Sequence, residues 1–190
     1  VEKTIEEFFS LAPLHKPPNL DGITAAEQFF PDVPHVAGFD TAFHQSMPQH
    51  AYLYALPYEL YADEHIRKYG FHGTSHRYVS GRAAEILGKE EGFTGVTCHL
   101  GNGCSLTAVK DGHSVDTSMG LTPLEGVVMG TRSGDIDPAI IFHLAESRGM
   151  ELAEINQLLQ RKSGLLGVSG VSNDLREIME GVEGGGDFMK

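Results

Sequence analysis

The sequence has no basic run. Its 190 residues carry 26 acidic side chains against 14 basic ones, a formal charge of -12, which argues against nucleic acid as a partner and leaves any anionic ligand to be met by a local site. There is no apolar stretch near the roughly 20 residues of a membrane span, and no charged-then-apolar leader at the start. The expectation is a soluble cytoplasmic protein with no membrane partner. Cysteine is scarce: Cys98 and Cys104 are the whole supply. Their spacing would allow a disulfide, but free thiols in a reducing compartment are expected. Ten histidines occur without a His-Glu-x-x-His, a Cys-x-x-Cys or an EF-hand loop. A Gly-x-x-x-x-Gly-Lys-Ser/Thr segment is also missing, so a Walker-type nucleotide fold is not expected. Val1 stands where an initiator methionine would, and the chain stops just after Gly184-Gly185-Gly186. Both ends read as cut, as if the sequence were a piece of a longer protein.

What is present begins with two capping boxes, Thr4-Ile5-Glu6-Glu7 and Thr24-Ala25-Ala26-Glu27. Each precedes a phenylalanine pair and is stopped by proline, which predicts two short helices. Leu14 to Asn19, with its two prolines, reads as an extended connection between them. Val33 to Phe39 reads as a strand that delivers Asp40 at its C-terminal end, where α/β folds place their chemistry. Residues 45–70, with Pro48, Pro57 and a tyrosine series at Tyr52, Tyr54, Tyr58 and Tyr61, read as a domain junction. Thr74 or Ser75 is expected to cap a helix with apolar positions Tyr78, Val79, Ala83, Ile86 and Leu87, ended by Gly88. From Thr94 the period changes to two. Strands Val96 to Leu100, Cys104 to Lys110 and His113 to Thr117 follow, joined by Gly101-Asn102-Gly103 and by the hairpin turn Asp111-Gly112. Asp137 and Pro138 open a helix that runs to Gly149, and another follows over Leu152 to Leu159. Gly164 to Gly170 reads as a loop leading to a helix start at Asn173-Asp174-Leu175-Arg176.

Several of these positions have the chemistry of anion handling, each beside a plainer role. A Gly-Asn-Gly turn can present backbone N–H groups to a phosphate, its glycines allowing positive φ, or it can be an ordinary hairpin. Arg132, flanked by Thr131 and Ser133-Gly134, offers a permanent planar fork of donors, or forms a surface ion pair with Asp135 or Asp137. His72 is either a donor to an oxyanion or a structural imidazole. It shares helical spacing with His76, although the two are expected to serve separate purposes. Asp40 can hold a magnesium-bound water or cap whatever follows Thr41. His99 either donates to a phosphate or ends a strand. His15 lies in a proline-rich loop where structural and substrate-lining roles are not separable. Asp174 and Arg176 either cap a helix or mark an anion site at its positive end. Glycine-turn amides, an arginine, imidazoles and a carboxylate together suit phosphoryl transfer, a reaction driven by positioning and charge neutralisation.

Six segments in one order carry a resemblance over nearly the whole chain: Leu11 to His15, Phe39 to His44, Tyr69 to His76, His99 to Gly103, Asp116 to Gly120 and Met129 to Pro138. On them the sequence closely resembles the acetate kinases. The resemblance implies an α/β, ribonuclease H-like fold of the acetate and sugar kinase, heat-shock chaperone and actin superfamily, a mixed sheet with a β-meander flanked by helices. Residues 1–47 would be the end of a first such domain and 48–190 the beginning of a second. It implies reversible phosphoryl transfer from ATP to acetate by in-line attack, Mg2+, a cytoplasmic homodimer formed through the second domain, and a role in carbon and energy metabolism. Carried over by motif, Asp40, His72 and Arg132 would be catalytic, with Asp40 a water-mediated magnesium contact. His99, Leu100, Gly101, Asn102 and Gly103 would hold the ATP phosphates, with Asp174, Leu175 and Arg176 beside the nucleotide. Phe71 and His15 would belong to the acyl-substrate site. Leu175 stands where the family usually has methionine, and Cys104 where serine is usual. The family's first phosphate loop, a first-domain arginine and the glycine-rich adenosine loop with its magnesium-linked glutamate are missing from the sequence. The chain alone is therefore expected to be nearly inactive. The competing readings are a propionate or butyrate kinase of the same family and a non-catalytic dimerising fragment.

Overall fold

The structure, a computed structural model, describes residues 16–89 and 91–185. The helix expected at Thr4 and the side chain of His15 lie outside the described residues. The chain divides into two compact units, Val1–Phe39 and Asp40–Lys190, a division earlier in the chain than the 47/48 boundary.

In the first unit, helix α1 spans Lys16–Phe29. It starts at the segment expected to be extended, and it absorbs the capping box at Thr24. Proline lacks an N–H that the first helical turn does not use, and its φ is already helical, so Pro17 and Pro18 suit the helix start. Val33 to Phe39 forms no strand. An extended run becomes a strand only with a ladder partner, and Val33, Val36 and Phe39 are exposed.

In the second unit, a 3-10 turn, Ala42–Ser46, precedes the short helices α2 (Gln49–Tyr52) and α3 (Tyr58–Ala62). Helix α4, Gly73–Leu87, starts earlier than expected, with His72 at its N-cap and Gly88 in the left-handed region at its C-cap. The expected meander is present: β1 (Gly95–Leu100), β2 (Cys104–Lys110) and β3 (His113–Thr117) form an antiparallel sheet in the order β1-β2-β3. Lys110 pairs with His113 across Asp111-Gly112, both at positive φ, as a two-residue primed turn requires. Leu100 pairs with Cys104 across the Gly-Asn-Gly turn.

Helices α5 (Ala139–Arg148) and α6 (Leu152–Arg161) follow. Asp137 Oδ1 accepts the Ala139 N–H at 2.9 Å, the expected cap. Gly164–Ser169, expected to be a loop, is a short helix, α7, closed by Gly170 in the left-handed region. Two of its three glycines, Gly164 and Gly170, stand at the ends, Gly167 is tolerated inside, and the interior leucines are good helix formers. Helix α8, Leu175–Glu183, completes the described chain.

The layer between the sheet, α4 and the 3-10 turn is polar. His44, His76, Ser80, Thr97, Ser105, Thr107, Ser114 and Thr117 are all buried there, and no buried side-chain polar atom among the described residues lacks a hydrogen-bond partner. The stripe expected to bury α4 faces outward instead, with Tyr78 68 % and Ile86 75 % exposed. On β1 the same inversion holds: Val96 and Leu100 are exposed, while Thr97 faces in.

Candidate functional site

The site gathers where α4 begins, at the tip of β1 and β2, and beside the 129–134 loop. Asp40 accepts the His72 N–H on Oδ2 at 2.6 Å, and its backbone carbonyl accepts the Gly73 N–H at 2.8 Å. It therefore does not cap the turn after Thr41, whose N-cap makes no side-chain bond. It closes the positive end of α4 from a distance in sequence. His44, one turn on, donates from Nε2 to the Phe71 carbonyl at 2.9 Å and accepts from the Ser114 hydroxyl at Nδ1. These bonds hold the backbone at 71–72, where His72 takes a left-handed φ of 55°. A non-glycine residue held there at some cost is over-determined by its surroundings.

His72 and His99 stack with centroids 4.0 Å apart and planes at 23°. Both are tied at Nδ1, His72 to Ser105 Oγ and His99 to Ser75 Oγ, each at 2.9 Å. Their Nε2 atoms both face the glycine turn: a Cβ at Gly103 would lie 3.3 Å from His72 Nε2, and one at Gly101 3.4 Å from His99 Nε2. The turn's glycines are thus not there for positive φ, which neither adopts. They leave room. The same Cβ at Gly103 would stand 3.3 Å from Arg132 Nη1.

Arg132 makes no ion pair among the described residues: its guanidinium donates to the Pro123 carbonyl at 3.1 Å and lies 3.8 Å from the Met129 sulfur. The aspartates expected to compete for it are occupied, Asp135 by the Gly126 N–H and Asp137 by its own cap. The backbone around Arg132 is held by neighbours. Ser133 N–H reaches the Leu159 carbonyl, Ser163 N–H the Thr131 carbonyl and Leu165 N–H the Met129 carbonyl. Asn102 fastens the turn to this loop and to α8: its carbonyl accepts from Gly130 N–H at 3.0 Å and its Oδ1 from Asn173 Nδ2 at 2.9 Å. A Cβ at Gly130 would collide with Asn102 Oδ1, so only glycine allows that approach. Asp174 caps α8 and grips Arg176 with both carboxylate oxygens, which holds its carboxyl down at about 2. The Leu100 and Leu175 side chains are 75 % and 56 % exposed, so near the site these two offer backbone.

Burial lowers the His72 imidazole below its ordinary value, and the neighbouring His99 lowers it further. Burial takes His76 down to about 4. Both rings are neutral donors and acceptors at neutral pH. Cys98 and Cys104 are free thiols. Among the described residues no cluster of three or more His, Cys, Asp or Glu stands ready to cage a metal, and no helix is long and apolar enough to cross a membrane.

The sequence-predicted Asp40, Phe71, His72, His99, Gly101 to Gly103, Arg132 and Asp174 to Arg176 thus occupy one region of the second unit. Four partners have no site role in the sequence reading: His44, Ser75, His76 and Ser105. A signal for them existed. The i, i+4 spacing puts His72 and His76 on one helix face, and strand alternation puts Thr97, His99 and Ser105 on one sheet face. The separate purposes expected for His72 and His76 are corrected by Ser105, whose hydroxyl both rings reach.

An α/β unit with this meander under a helix, and an arginine and imidazoles converging on its turn, belongs to the actin-like fold class. Three solved structures share it: a propionate kinase from Francisella tularensis (TM-score 0.93, 51 % identity, 98 % of this chain and 48 % of that one), the Porphyromonas gingivalis acetate kinase (0.92, 51 %, 98 % and 47 %) and the Entamoeba histolytica acetate kinase (0.88, 35 %, 98 % and 47 %). The acetokinase family model matches residues 1–187, and the chain belongs to that family. It is 59 % identical over 188 residues to the acetate kinase of Acetivibrio thermocellus, covering 98 % of this chain and 47 % of the relative. It is 62 % identical over 182 residues to that of Shewanella amazonensis, covering 95 % and 46 %. The chain spans about half the length of the relatives it matches.

Proposed function

We propose that this chain is the central part of an enzyme that transfers the terminal phosphoryl group of ATP to acetate, reversibly, giving acetyl phosphate and ADP. The observation that carries the reading is the Arg132 guanidinium, in no ion pair among the described residues, meeting the His72 ring over Gly103. A permanent cation and a neutral N–H donor aimed at one open point suit an oxyanion whose charge grows during the reaction. The acid's carboxylate attacks in line. Arg132 and His72 meet the equatorial oxygens of the transferring group, and His99 with the backbone from Leu100 to Gly103 holds the other ATP phosphates. On this reading Asp174, Leu175 and Arg176 are assigned to the nucleotide, and Phe71 and His15 to the acyl substrate.

Magnesium fits Asp40 through water: Oδ2 is engaged by the His72 N–H, and Oδ1 makes no hydrogen bond among the described residues. A lone carboxylate suits an ion held mostly by phosphates and water, which would neutralise nucleotide charge. The assignment extends to a division of ribonuclease H-like domains at 47/48, a cytoplasmic location and pairing of two copies through the second domain.

In a full-length enzyme containing this chain, Arg132→Ala is expected to cost about 10²-fold or more in turnover. A loss below about threefold would remove Arg132 from the chemistry. The isolated chain is expected to make little or no acetyl phosphate, and robust formation would overturn that. Calorimetry with ATP and magnesium separates a partial site, which releases heat, from a non-catalytic fragment, which does not.

A second reading is favoured by the structural similarity to the Francisella propionate kinase: the acid is propionate or butyrate. Steady-state rates with acetate, propionate and butyrate decide between them.

A further inference from the structure

Behind His72 runs a line of hydrogen bonds that phosphoryl transfer as described does not call on. Ser105 is fully buried, and its Oγ lies 2.9 Å from His72 Nδ1 and 2.7 Å from His76 Nε2. His76, 1 % exposed, continues through Nδ1 to Thr97 Oγ1 at 2.8 Å. Ser105 has a single hydroxyl proton and can donate to one ring only, so the line has a direction.

Two directions satisfy both neutral rings, and Thr97 distinguishes them. Its hydroxyl is buried and has no other hydrogen-bond partner among the described residues. If His76 Nδ1–H donated to Thr97, the threonine proton would be buried without an acceptor, at the usual cost of an unsatisfied polar group. If Thr97 donates instead, every proton is used. Thr97 O–H gives to His76 Nδ1, His76 Nε2–H gives to Ser105, and Ser105 O–H gives to His72 Nδ1. His72 then carries its proton on Nε2, the atom that faces Gly103 and Arg132.

We propose that Ser105, backed by His76 and Thr97, is a positioning residue that fixes His72 as its Nε2–H tautomer and so keeps a neutral N–H donor aimed at the glycine turn. What that donor serves rests on the phosphoryl-transfer reading. The tautomer itself does not, and can be read on the chain without any activity.

The test is a long-range proton–nitrogen correlation spectrum of the chain with 15N-labelled histidine rings, recorded above the imidazole titration range. The expected result is a protonated-type Nε2 and a bare Nδ1 on His72. A protonated Nδ1, or an even mixture, would overturn the proposal. In Ser105→Ala, His72 is expected to populate Nδ1–H, whereas His99, tied to Ser75, keeps its pattern and serves as the control. A folded Ser105→Ala chain with His72 unchanged refutes it. Ser105→Thr, which retains the hydroxyl, should restore the Nε2–H pattern, and a mixture there counts against the proposal. If Ser105→Ala does not fold, the spectra of the unmutated chain and of Ser105→Thr decide. A failed Arg132 test with an intact His72 pattern would sink the function and leave the tautomer standing.

Discussion

His76 is 1 % exposed between two hydroxyls, with the rings of His44 and His99 5.9 Å and 6.4 Å away, and its imidazole is held down at about 4, first by burial and then by the neighbouring His44. Its ordinary value is 6.5. The unfolded chain therefore binds a proton here over a range in which the folded chain does not, so stability rises with pH across that range. The contribution is complete above 6.5, is lost as pH falls toward 4, and amounts to about 3 kcal/mol by the usual conversion. His44 and His72 are lowered by burial as well and add slope of the same sign. The informative measurement is thus a difference. Urea midpoints between pH 6.5 and 4 should fall more steeply for the native sequence than for His76→Asn, which keeps hydrogen-bonding capacity and removes the titration. Parallel slopes would show that His76 is not the buried neutral ring described.

Among the elements, the Gly101-Asn102-Gly103 turn distinguishes structure from function most cleanly. Its glycines have no positive φ, so the backbone itself accepts alanine. A Cβ at Gly103 nevertheless enters the point where Arg132 and His72 converge, at contacts of 3.3 Å that force both to give way. Gly103→Ala should leave the unfolding midpoint of the chain within about 1 kcal/mol of the native value. In a full-length enzyme it should weaken ATP binding and slow turnover. If stability collapsed and catalysis survived, the turn would be a structural hairpin only. The meander was legible because alternation and an Asp-Gly turn are local signals, and Asp137-Pro138 was legible as a cap for the same reason. The start of α1 and the helix α7 were not. In both, the same punctuating residues suit a loop or a helix end equally well, and only the surroundings choose. Asp40 was legible as a chemical group but not as the closure of α4, because its partner lies 32 residues on. The buried hydroxyl layer that orients His72 was hidden for a related reason: serine and threonine on a strand read as a solvated face until something covers them.

At the scale of the whole molecule, the buried apolar core is thin. Met47, Val109, Met119, Met129, Ile155 and Leu159 are its members among the described residues, while Tyr78, Ile86, Val96, Leu100 and Phe142 are all at least 61 % exposed. In the second unit the exposed groups fall on the outer sides of α4, β1 and α5, and on α4 and β1 these are the sides that the hydrophobic periodicity marks as inner. A periodic apolar stripe on water is costly, at about 25 cal/mol for each Å² left uncovered. The chain spans 47 % of its Acetivibrio relative, so in a full-length enzyme the remaining half is available to cover those sides. The isolated chain should therefore bind an apolar dye such as anilinonaphthalene sulfonate at neutral pH and self-associate as its concentration rises. Within a full-length enzyme that contains it, it should lose both properties together, because one surface causes both. Dye fluorescence and light scattering across a concentration series check this directly. A chain that stays monomeric and dye-silent would mean that the outward stripes of α4 and β1 are covered within the 190 residues themselves, and the assignment of those faces to the absent half would fall.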